Sequence, residues 1–112
     1  MSAPNIAPPV QSLSVHELRS RQRQGNITVI DVRPAADRAH APFAGAEILD
    51  EASYTRLTAL PKTQALAFLC HHGHSSRLVA EHFRKLAFRN LFNVEGGIDA
   101  WSCEIDSSIP RY

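Results

Sequence analysis

The sequence has few cysteines, almost no net charge and no long apolar run, and each of these absences excludes a class of protein. Its 112 residues contain only two cysteines, Cys70 and Cys103, too few for the disulfide framework of a small secreted domain. Twelve basic against eleven acidic residues leave a formal net charge of +1, which gives no reason to expect nucleic acid or a membrane surface as a partner. No apolar run approaches the roughly 20 residues that cross a bilayer.

The amino terminus lacks the features of a secretory signal, because residues 1–10 have neither a basic start nor a long apolar stretch. We therefore expect a cytoplasmic protein with reduced cysteines. A chain of 112 residues, 44% of them hydrophobic, is long enough for one domain with one core but not for two. The prolines of residues 1–9 predict a flexible tail, which leaves residues 10–112 as the domain.

The rest of the chain alternates short apolar runs with segments of helical periodicity. Strands are predicted at residues 10–13, 27–32, 46–49, 65–69 and 91–94. Helices are predicted at residues 14–24, 35–40, 50–60, 76–88 and 98–101. This alternation predicts an α/β fold, with a mostly parallel sheet of about five strands and helices on both faces. In such sheets the ligand site lies beyond the carboxyl ends of the strands, where Asp31, Arg33 and Cys70 all fall.

The stretch around Cys70 joins a predicted buried strand to the start of a helix, and it reads Cys70-His71-His72-Gly73-His74-Ser75-Ser76-Arg77. Backbone N–H groups of such a loop can converge on the sulfur, and the helix dipole adds positive potential there. Lowering the pKa of a thiol by about two units takes roughly 2.7 kcal/mol of preference for the thiolate. One or two N–H hydrogen bonds to the charged sulfur, at about 1.5–3 kcal/mol each, supply that preference without a general base.

Three small residues of this loop suit such an arrangement. Gly73 gives the backbone the freedom to curl around the sulfur. Ser75 or Ser76 can cap the following helix and offer a hydroxyl to a bound oxyanion. We therefore interpret Cys70 as a nucleophile rather than as an inert, buried strand cysteine.

The charged residues near the loop allow more than one role. Asp31 and Arg33 are either catalytic or a structural ion pair beneath the loop, and we favour the ion pair. Arg77 lies on the first turn of the helix, where its side chain faces either the mouth of the pocket or solvent. Trp101 is expected to be a core residue, and Cys103 an incidental thiol rather than a redox partner of Cys70.

The histidines at positions 71, 72 and 74 invite a zinc site, because imidazole and thiolate are both zinc ligands. Neighbouring residues of one loop seldom direct their side chains at a single centre, however, and structural zinc sites space their ligands differently. We expect no metal and no cofactor. The interpretation we favour is that the three histidines line the rim of the pocket and tune its potential with pH.

Three blocks of the sequence resemble the single-domain rhodaneses, a family of sulfurtransferase modules. The first block is Asp31-Val32-Arg33, followed at the family's distance by Ala44-Gly45-Ala46. The second is the six-residue loop from Cys70 to Ser75, with Ser76 and Arg77 opening the next helix. The third is Asn93-Val94-Glu95-Gly96-Gly97-Ile98-Asp99-Ala100-Trp101, which is similar to the family's closing Gly-Gly … Ala-Trp signature.

The resemblance implies a rhodanese-like three-layer sandwich and a sulfur-transfer reaction. By analogy with the family, Cys70 takes the outer sulfur of thiosulfate or of a small persulfide, holds it as a persulfide, and passes it to a thiol or to cyanide. The backbone N–H groups of His71, His72, Gly73, His74, Ser75 and Ser76 form the cradle for the anion. The partners so implied are a small sulfur donor and a thiol acceptor, with no nucleic acid and no membrane.

Departures from the family pattern bear on the donor more than on the reaction. Pro34, Pro42 and Ala44 stand where the family commonly has Glu, His and Pro, and they leave the start of the third strand open. The loop contains no Arg or Lys, unlike many members that prefer thiosulfate. A persulfide such as glutathione persulfide is therefore the favoured donor. The ending Ile109-Pro110-Arg111-Tyr112 resembles rhodanese modules found beside glutaredoxin-like domains, so a glutaredoxin- or thioredoxin-like protein is a candidate acceptor.

Two other functions remain as alternatives. A cysteine phosphatase or arsenate reductase of the same fold needs an arginine after five intervening residues, so that the guanidinium binds the oxyanion bidentately. Six residues separate Cys70 from Arg77, and position 76 is serine. The second alternative is a non-catalytic, rhodanese-like binding module. The presence of Cys70 argues against it, because such modules commonly lack the cysteine.

Overall fold

A computed structural model describes residues 7–112, whose centre is a five-stranded sheet with helices on both faces. The strands are β1 Gln11–Leu13, β2 Thr28–Asp31, β3 Glu47–Ile48, β4 Leu66–Leu69 and β5 Leu91–Val94. The helices are α1 Val15–Gln24, α2 Ala35–His40, α3 Glu51–Thr58, α4 Ser75–Lys85 and α5 Gly97–Glu104. The strand order is β1-β5-β4-β2-β3, and all four neighbouring pairs run parallel. The predicted architecture is confirmed, with a sheet that is wholly parallel within the described residues.

The central strand β4 separates two apolar cores. Leu66 and Phe68 point to the face that α3 and α4 cover, whereas Ala67 and Leu69 point to the opposite face with α1 and α5. All four residues are fully buried. A strand buried on both faces reads as a continuous apolar run, and this explains why the segment before Cys70 contains no polar residue.

Local signals in the sequence set several helix ends. Ser14 and Glu17 form the predicted capping box of α1, and Gly25 ends that helix with a left-handed backbone at φ 70°. Asp50 caps α3 as predicted, because its carboxylate accepts a hydrogen bond from the N–H of Ser53 at 2.8 Å.

Helices α4 and α5 differ most from their predicted bounds, and α3 ends at Thr58 rather than at residue 60. Helix α4 ends at Lys85 rather than near residue 88, because Ala87 takes a left-handed backbone at φ 72° and turns the chain towards β5. Helix α5 runs on to Glu104, and it buries Trp101 edge-to-face on Phe43 with ring centroids 4.8 Å apart. Trp101 is thus a core residue, as predicted.

The predicted tail lies mostly outside the described residues, which begin at Ala7. Ala7 is buried, and the carbonyls of Ala7 and Pro8 accept hydrogen bonds from Arg84 Nε at 3.1 and 3.0 Å. No helix within residues 7–112 combines the length and the apolar character that crossing a bilayer requires.

Candidate active site

The strand order brings the polar residues of three strand ends together. Strand β4 is central, with β2 on one side and β5 on the other. Cys70 follows directly after β4, Asp31 ends β2, and Asn93 lies one residue before the end of β5. Because the strands are parallel, all three residues lie at the same edge of the sheet, where ligand sites of open α/β sheets are found.

The sulfur of Cys70 is buried and is surrounded by hydrogen-bonding groups of its own loop. The residue is only 3% exposed. The N–H of Gly73 donates to Sγ at 3.1 Å, and Ser76 Oγ lies 3.0 Å from Sγ. Gly73 has φ +96°, and a Cβ there would lie 3.1 Å from the carbonyl oxygen of Val94. Only glycine combines this backbone with this close approach, and the N–H is thereby directed at the sulfur.

The balance of two opposing effects lowers the pKa of Cys70. Burial by itself raises the pKa of this thiol, because it disfavours the charged form. Hydrogen bonds from the side chains of Ser75 and Ser76 and from the N–H groups of Ser76 and Gly73 favour the thiolate and outweigh burial. The pKa therefore lies below its ordinary value of 9.0. The site carries a larger thiolate fraction near neutral pH than a free cysteine does.

Asn93 holds the second half of the loop, and the sequence analysis missed this residue. Its Nδ2 donates to the carbonyl of Gly73 at 2.9 Å, and its Oδ1 accepts from the hydroxyl of Ser76 at 2.6 Å. The amide thus links two residues that contact the sulfur, Gly73 through its N–H and Ser76 through its hydroxyl, and Asn93 itself is fully buried. A signal was present in the sequence, since an asparagine inside the otherwise apolar strand β5 must find hydrogen-bond partners there.

The start of α5 holds the first half of the loop. The N–H groups of Ile98 and Asp99 donate to the carbonyls of Cys70 and His71 at 2.8 and 3.1 Å. Gly97 lies directly beneath these carbonyls, and a Cβ at this position would come within 2.4 Å of the Cys70 oxygen. Gly97 therefore allows the start of α5 and the loop to pack backbone against backbone, whereas a Cβ on Gly96 would meet Ala100 of the same helix.

Asp31 and Arg33 form a buried ion pair. Arg33 Nη2 lies 2.8 Å from Asp31 Oδ2, and Nε lies 3.0 Å from Oδ1. Burial by itself lowers the pKa of Arg33, but its hydrogen bonds to Asp31 and Tyr112 outweigh that effect and raise the pKa. Both residues are thus engaged with each other and with the surrounding framework, in line with the interpretation favoured from the sequence.

The three loop histidines occupy different surroundings. The rings of His71 and His72 stack on one another with centroids 3.9 Å apart, and Tyr112 stacks on the other face of His71. His71 Nε2 is buried without a hydrogen-bond partner among the described residues. His74 is exposed and precedes α4 as its capping residue, with no side-chain cap. The expectation that Ser75 or Ser76 caps α4 is therefore wrong, because Ser76 uses its hydroxyl on Asn93 and Cys70 instead.

Arg77 and Cys103 lie apart from the sulfur. Arg77 Nη2 is directed towards Ser12 Oγ at 3.3 Å and Glu95 Oε1 at 3.4 Å, so its side chain turns to the ends of β1 and β5. Cys103 is an exposed free thiol on α5. Within residues 7–112 there is no group of three or more His, Cys, Asp and Glu residues that could hold a metal ion.

Comparisons with known proteins agree with this arrangement. A family model described as the rhodanese-like domain matches residues 14–104. The adenylyltransferase and sulfurtransferase MOCS3 of Drosophila ananassae is 30% identical over 113 residues, a match that covers 91% of this chain and 25% of that protein. The adenylyltransferase and sulfurtransferase UBA4 of Meyerozyma guilliermondii is 26% identical over 111 residues, which cover 91% of this chain and 26% of that protein. The chain thus spans about a quarter of the length of these relatives.

The fold also matches a solved structure. The crystal structure of a rhodanese-like domain protein from Staphylococcus aureus superposes with a TM-score of 0.69 at 23% sequence identity, covering 82% of this chain and 91% of that chain. The family match extends over most of the sequence, and the five-stranded parallel sheet agrees with it. This chain therefore belongs to the family of rhodanese-like domains.

Proposed function

We propose that this protein is a sulfurtransferase that carries a sulfane sulfur as a persulfide on Cys70. The observation that carries the proposal is the setting of the Cys70 sulfur. It lies at the end of the central strand, receives the N–H of Gly73 at 3.1 Å and has a pKa below its ordinary value. Membership of the rhodanese-like family and the sulfurtransferase names of the two curated relatives support the same reaction.

The reaction consists of two transfers at one sulfur atom. The Cys70 thiolate attacks the outer sulfur of the donor, a bond forms between the two sulfurs, and the bond between that sulfur and the rest of the donor breaks. Its electron pair leaves with the remnant, as sulfite from thiosulfate or as a thiolate from a small persulfide. An acceptor thiolate or cyanide then attacks the outer sulfur of the Cys70 persulfide, and the electron pair of the broken bond returns to Cys70. No outside oxidant or reductant is needed.

The loop supplies the electrostatic part of this reaction. The persulfide, like the thiolate, carries a negative charge that N–H and hydroxyl donors stabilise in a site shielded from water. Gly73, Ser75 and Ser76 are the donors that lower the pKa of Cys70. In the proposal, the N–H groups of residues 71–76 cradle the outer sulfur when it is bound.

The charges around the site favour a persulfide over thiosulfate as donor. Three arginines lie on the segments that surround the loop, and each is paired with a carboxylate: Arg33 with Asp31, Arg77 with Glu95, and Arg111 with Asp99. Thiosulfate carries both of its charges next to the sulfur that is transferred, so it gains most from an unpaired cation at the loop, whereas the carboxylates of a persulfide such as glutathione persulfide lie several bonds away from that sulfur. A small persulfide, with a thiol or a thioredoxin-like protein as acceptor, is accordingly the pair we propose.

The position of Arg77 argues against a phosphatase or arsenate reductase. Those reactions need a guanidinium over the oxyanion bound at the cysteine. The Arg77 guanidinium instead contacts Ser12 and Glu95, on the side of β1 and β5.

The test measures sulfur uptake directly. The protein is incubated with glutathione persulfide or with thiosulfate, and its intact mass is compared with that of Cys70→Ser and Cys103→Ser. We expect the mass of one sulfur atom to be added to the wild type and to Cys103→Ser but not to Cys70→Ser, and to be removed by cyanide as thiocyanate. An adduct that persists in Cys70→Ser, or hydrolysis of a phosphate ester without any sulfur uptake, contradicts the proposal. A protein that takes up no sulfur from either donor supports a binding module instead.

A further inference from the structure

Tyr112 is distant from Cys70 in the sequence, but its ring lies against the residue that follows the cysteine. The rings of Tyr112 and His71 are nearly parallel, at 10°, with their centroids 3.8 Å apart. His71 stacks in turn on His72 at 3.9 Å. The sulfur-transfer chemistry described above uses none of these three side chains, so their arrangement calls for its own explanation.

Tyr112 and its neighbour Arg111 both contact residues that surround the active site. The hydroxyl of Tyr112 accepts a hydrogen bond from Arg33 Nη1 at 3.1 Å. Arg111 donates to both carboxylate oxygens of Asp99, from Nε at 2.9 Å and from Nη2 at 3.3 Å. The N–H of Asp99 donates to the carbonyl of His71 at 3.1 Å. Together with the stacking of Tyr112 on His71, these contacts form a closed circuit around the first half of the loop, which runs from His71 through Tyr112, Arg111 and Asp99 back to His71.

The circuit adds to the support that Asn93 and the start of α5 already give to the loop. Asn93 fixes Gly73 and Ser76 from one side, and Ile98 and Asp99 fix the carbonyls of Cys70 and His71 from below. Tyr112 stacks on the outer face of the His71 ring, His72 stacks on His71, and His72 Nδ1 also lies 4.0 Å from Asp99 Oδ2. The N–H of Gly73 follows directly after them, so a shift of the histidines changes its distance to the sulfur.

We propose that Arg111 and Tyr112 are positioning residues for the Cys70 loop, which hold His71 and His72 so that the N–H of Gly73 stays on the sulfur. This inference rests on the proposed function, since it concerns how well the loop stabilises the Cys70 anion. Tyr112 is 36% exposed and lies outside both apolar cores. Its removal therefore affects the loop more than the stability of the fold.

The matched control is Tyr54, because it is 37% exposed and also pairs with a histidine. Its hydroxyl lies 2.6 Å from His82 Nε2, on α3 and α4 and away from the loop. The variants Tyr112→Ala, Tyr112→Phe and Tyr54→Ala are made in a Cys103→Ser background, so that Cys70 is the one cysteine present. The pH dependence of the rate of Cys70 alkylation gives the thiolate midpoint. The kcat and KM for transfer from glutathione persulfide to cyanide are measured in parallel.

In Tyr112→Ala we expect the alkylation midpoint to rise by about one pH unit, because one charge-assisted hydrogen bond to the sulfur is weakened. We expect kcat to fall about ten-fold, with a smaller change in KM, because a small displacement of the donor affects the reacting sulfur. Tyr112→Phe keeps the ring stack but loses the hydrogen bond from Arg33, so its midpoint and kcat are expected to lie between those of the wild type and those of Tyr112→Ala. Tyr54→Ala shifts neither quantity. A Tyr112→Ala protein with an unchanged midpoint and kcat overturns the proposal, and so does an equal change in Tyr54→Ala.

A second pair of variants tests the contact between Arg111 and Asp99 and leaves the aromatic rings unchanged. Arg111→Gln breaks the ion pair with Asp99, and Arg56→Gln breaks the similarly exposed pair with Glu47 at 2.8 Å. We expect the alkylation midpoint to rise less in Arg111→Gln than in Tyr112→Ala and not to rise in Arg56→Gln. An unchanged midpoint in Arg111→Gln contradicts the proposal, and this test holds even if Tyr112→Ala fails to fold. Alkylation needs no sulfur donor. The positioning role is therefore tested even in a protein that takes up no sulfur, a result that counts only against the proposed function.

Discussion

The two cysteines of this chain show how much the surroundings of a thiol decide its chemistry. Cys70 is 3% exposed at the end of the central strand, whereas Cys103 is exposed on a surface helix. Exposure alone would make Cys103 the more accessible nucleophile. Cys70, however, lies among donors that lower its pKa against the effect of its own burial. In this fold, activation comes from the backbone and hydroxyl groups of one loop, and accessibility is a separate property.

The largest contrast between the two cysteines is expected in turnover. Cys70→Ser removes the atom that carries the sulfur, so the rate of thiocyanate formation is expected to fall by at least about 10³-fold, to the uncatalysed level. Cys103→Ser is expected to stay within about two-fold of the wild type, because it lies on the solvent side of α5. A colorimetric thiocyanate assay measures both variants. Equal losses in the two would remove the distinction between the cysteines.

The next largest effect is expected at Asn93 of β5, and it is compared with the effect of a change at Asn90, which directly precedes that strand. Asn93→Ala breaks the hydrogen bonds to Gly73 and Ser76, so we expect kcat/KM to fall about 10- to 100-fold as the loop loses its geometry. We also expect the free energy of unfolding to fall by about 1–3 kcal/mol, because buried polar groups lose their partners.

Asn90→Ala is the control for this change. Asn90 donates to a carbonyl at 3.3 Å near the opposite end of β5, away from the sulfur. Urea unfolding and steady-state kinetics of both variants separate the two effects. If Asn93→Ala retained full activity, the support that Asn93 gives to the loop would have no bearing on the reactivity of Cys70.

Ser76 tests whether a hydroxyl contributes to the activation. Its single hydroxyl proton is donated to Asn93 in the structure, 2.6 Å away, and on ionisation of Cys70 it can turn to the thiolate. Ser76→Ala is expected to raise the pKa of Cys70 by about one unit, the equivalent of one weakened hydrogen bond to a charged group. The measurement is the pH dependence of Cys70 alkylation. Ser53→Ala, a change at another buried serine, removes the hydrogen bond from α3 to the carbonyl of Ile48 in β3 and should leave that pKa unchanged.

The smallest predicted effect concerns stability against pH. The folded pKa of Cys70 lies below the ordinary value of 9.0 expected for the unfolded chain. An acid with a lowered folded pKa stabilises the fold above the unfolded pKa and loses that contribution as the pH falls through the folded pKa. The wild type should therefore gain stability relative to Cys70→Ala as the pH rises towards 9.0, by about 1 kcal/mol or less. Urea unfolding at a series of pH values, in the Cys103→Ser background, measures this difference, and a difference that shrinks with rising pH contradicts it.

The parts of the fold that sequence patterns predicted are those set by neighbours in the chain. The bounds of α2 and β5, the capping box at Ser14 and the stop at Gly25 all depend on residues within one turn of each other. The loop after β4 was identified for the same reason, since strand, glycine and helix follow one another directly. The parallel order of the strands followed from the alternation of elements.

The parts that were missed depend on which strands become neighbours. Asn93 reaches Ser76 because β5 lies beside β4, and no local pattern contains that pairing. Tyr112 reaches Arg33 across 79 positions of sequence. The direction of Arg77 was left open for the same reason, because Ser12 and Glu95, the residues it contacts, belong to other elements. Supporting residues of this kind become visible only once the sheet order is known.

The strand order also has a consequence for how the chain is made. Among the strands of residues 7–112, β1 pairs with β5 alone, where Gln11 lies opposite Phe92, so β1 stays unpaired until β5 has been synthesised. Until β5 emerges, one edge of β4 is open as well, and its four residues are all apolar. Contacts so distant in sequence form slowly, and an open apolar strand edge is a template for pairing with another chain. A nascent chain halted before residue 91 is therefore exposed to aggregation through the open edge of β4.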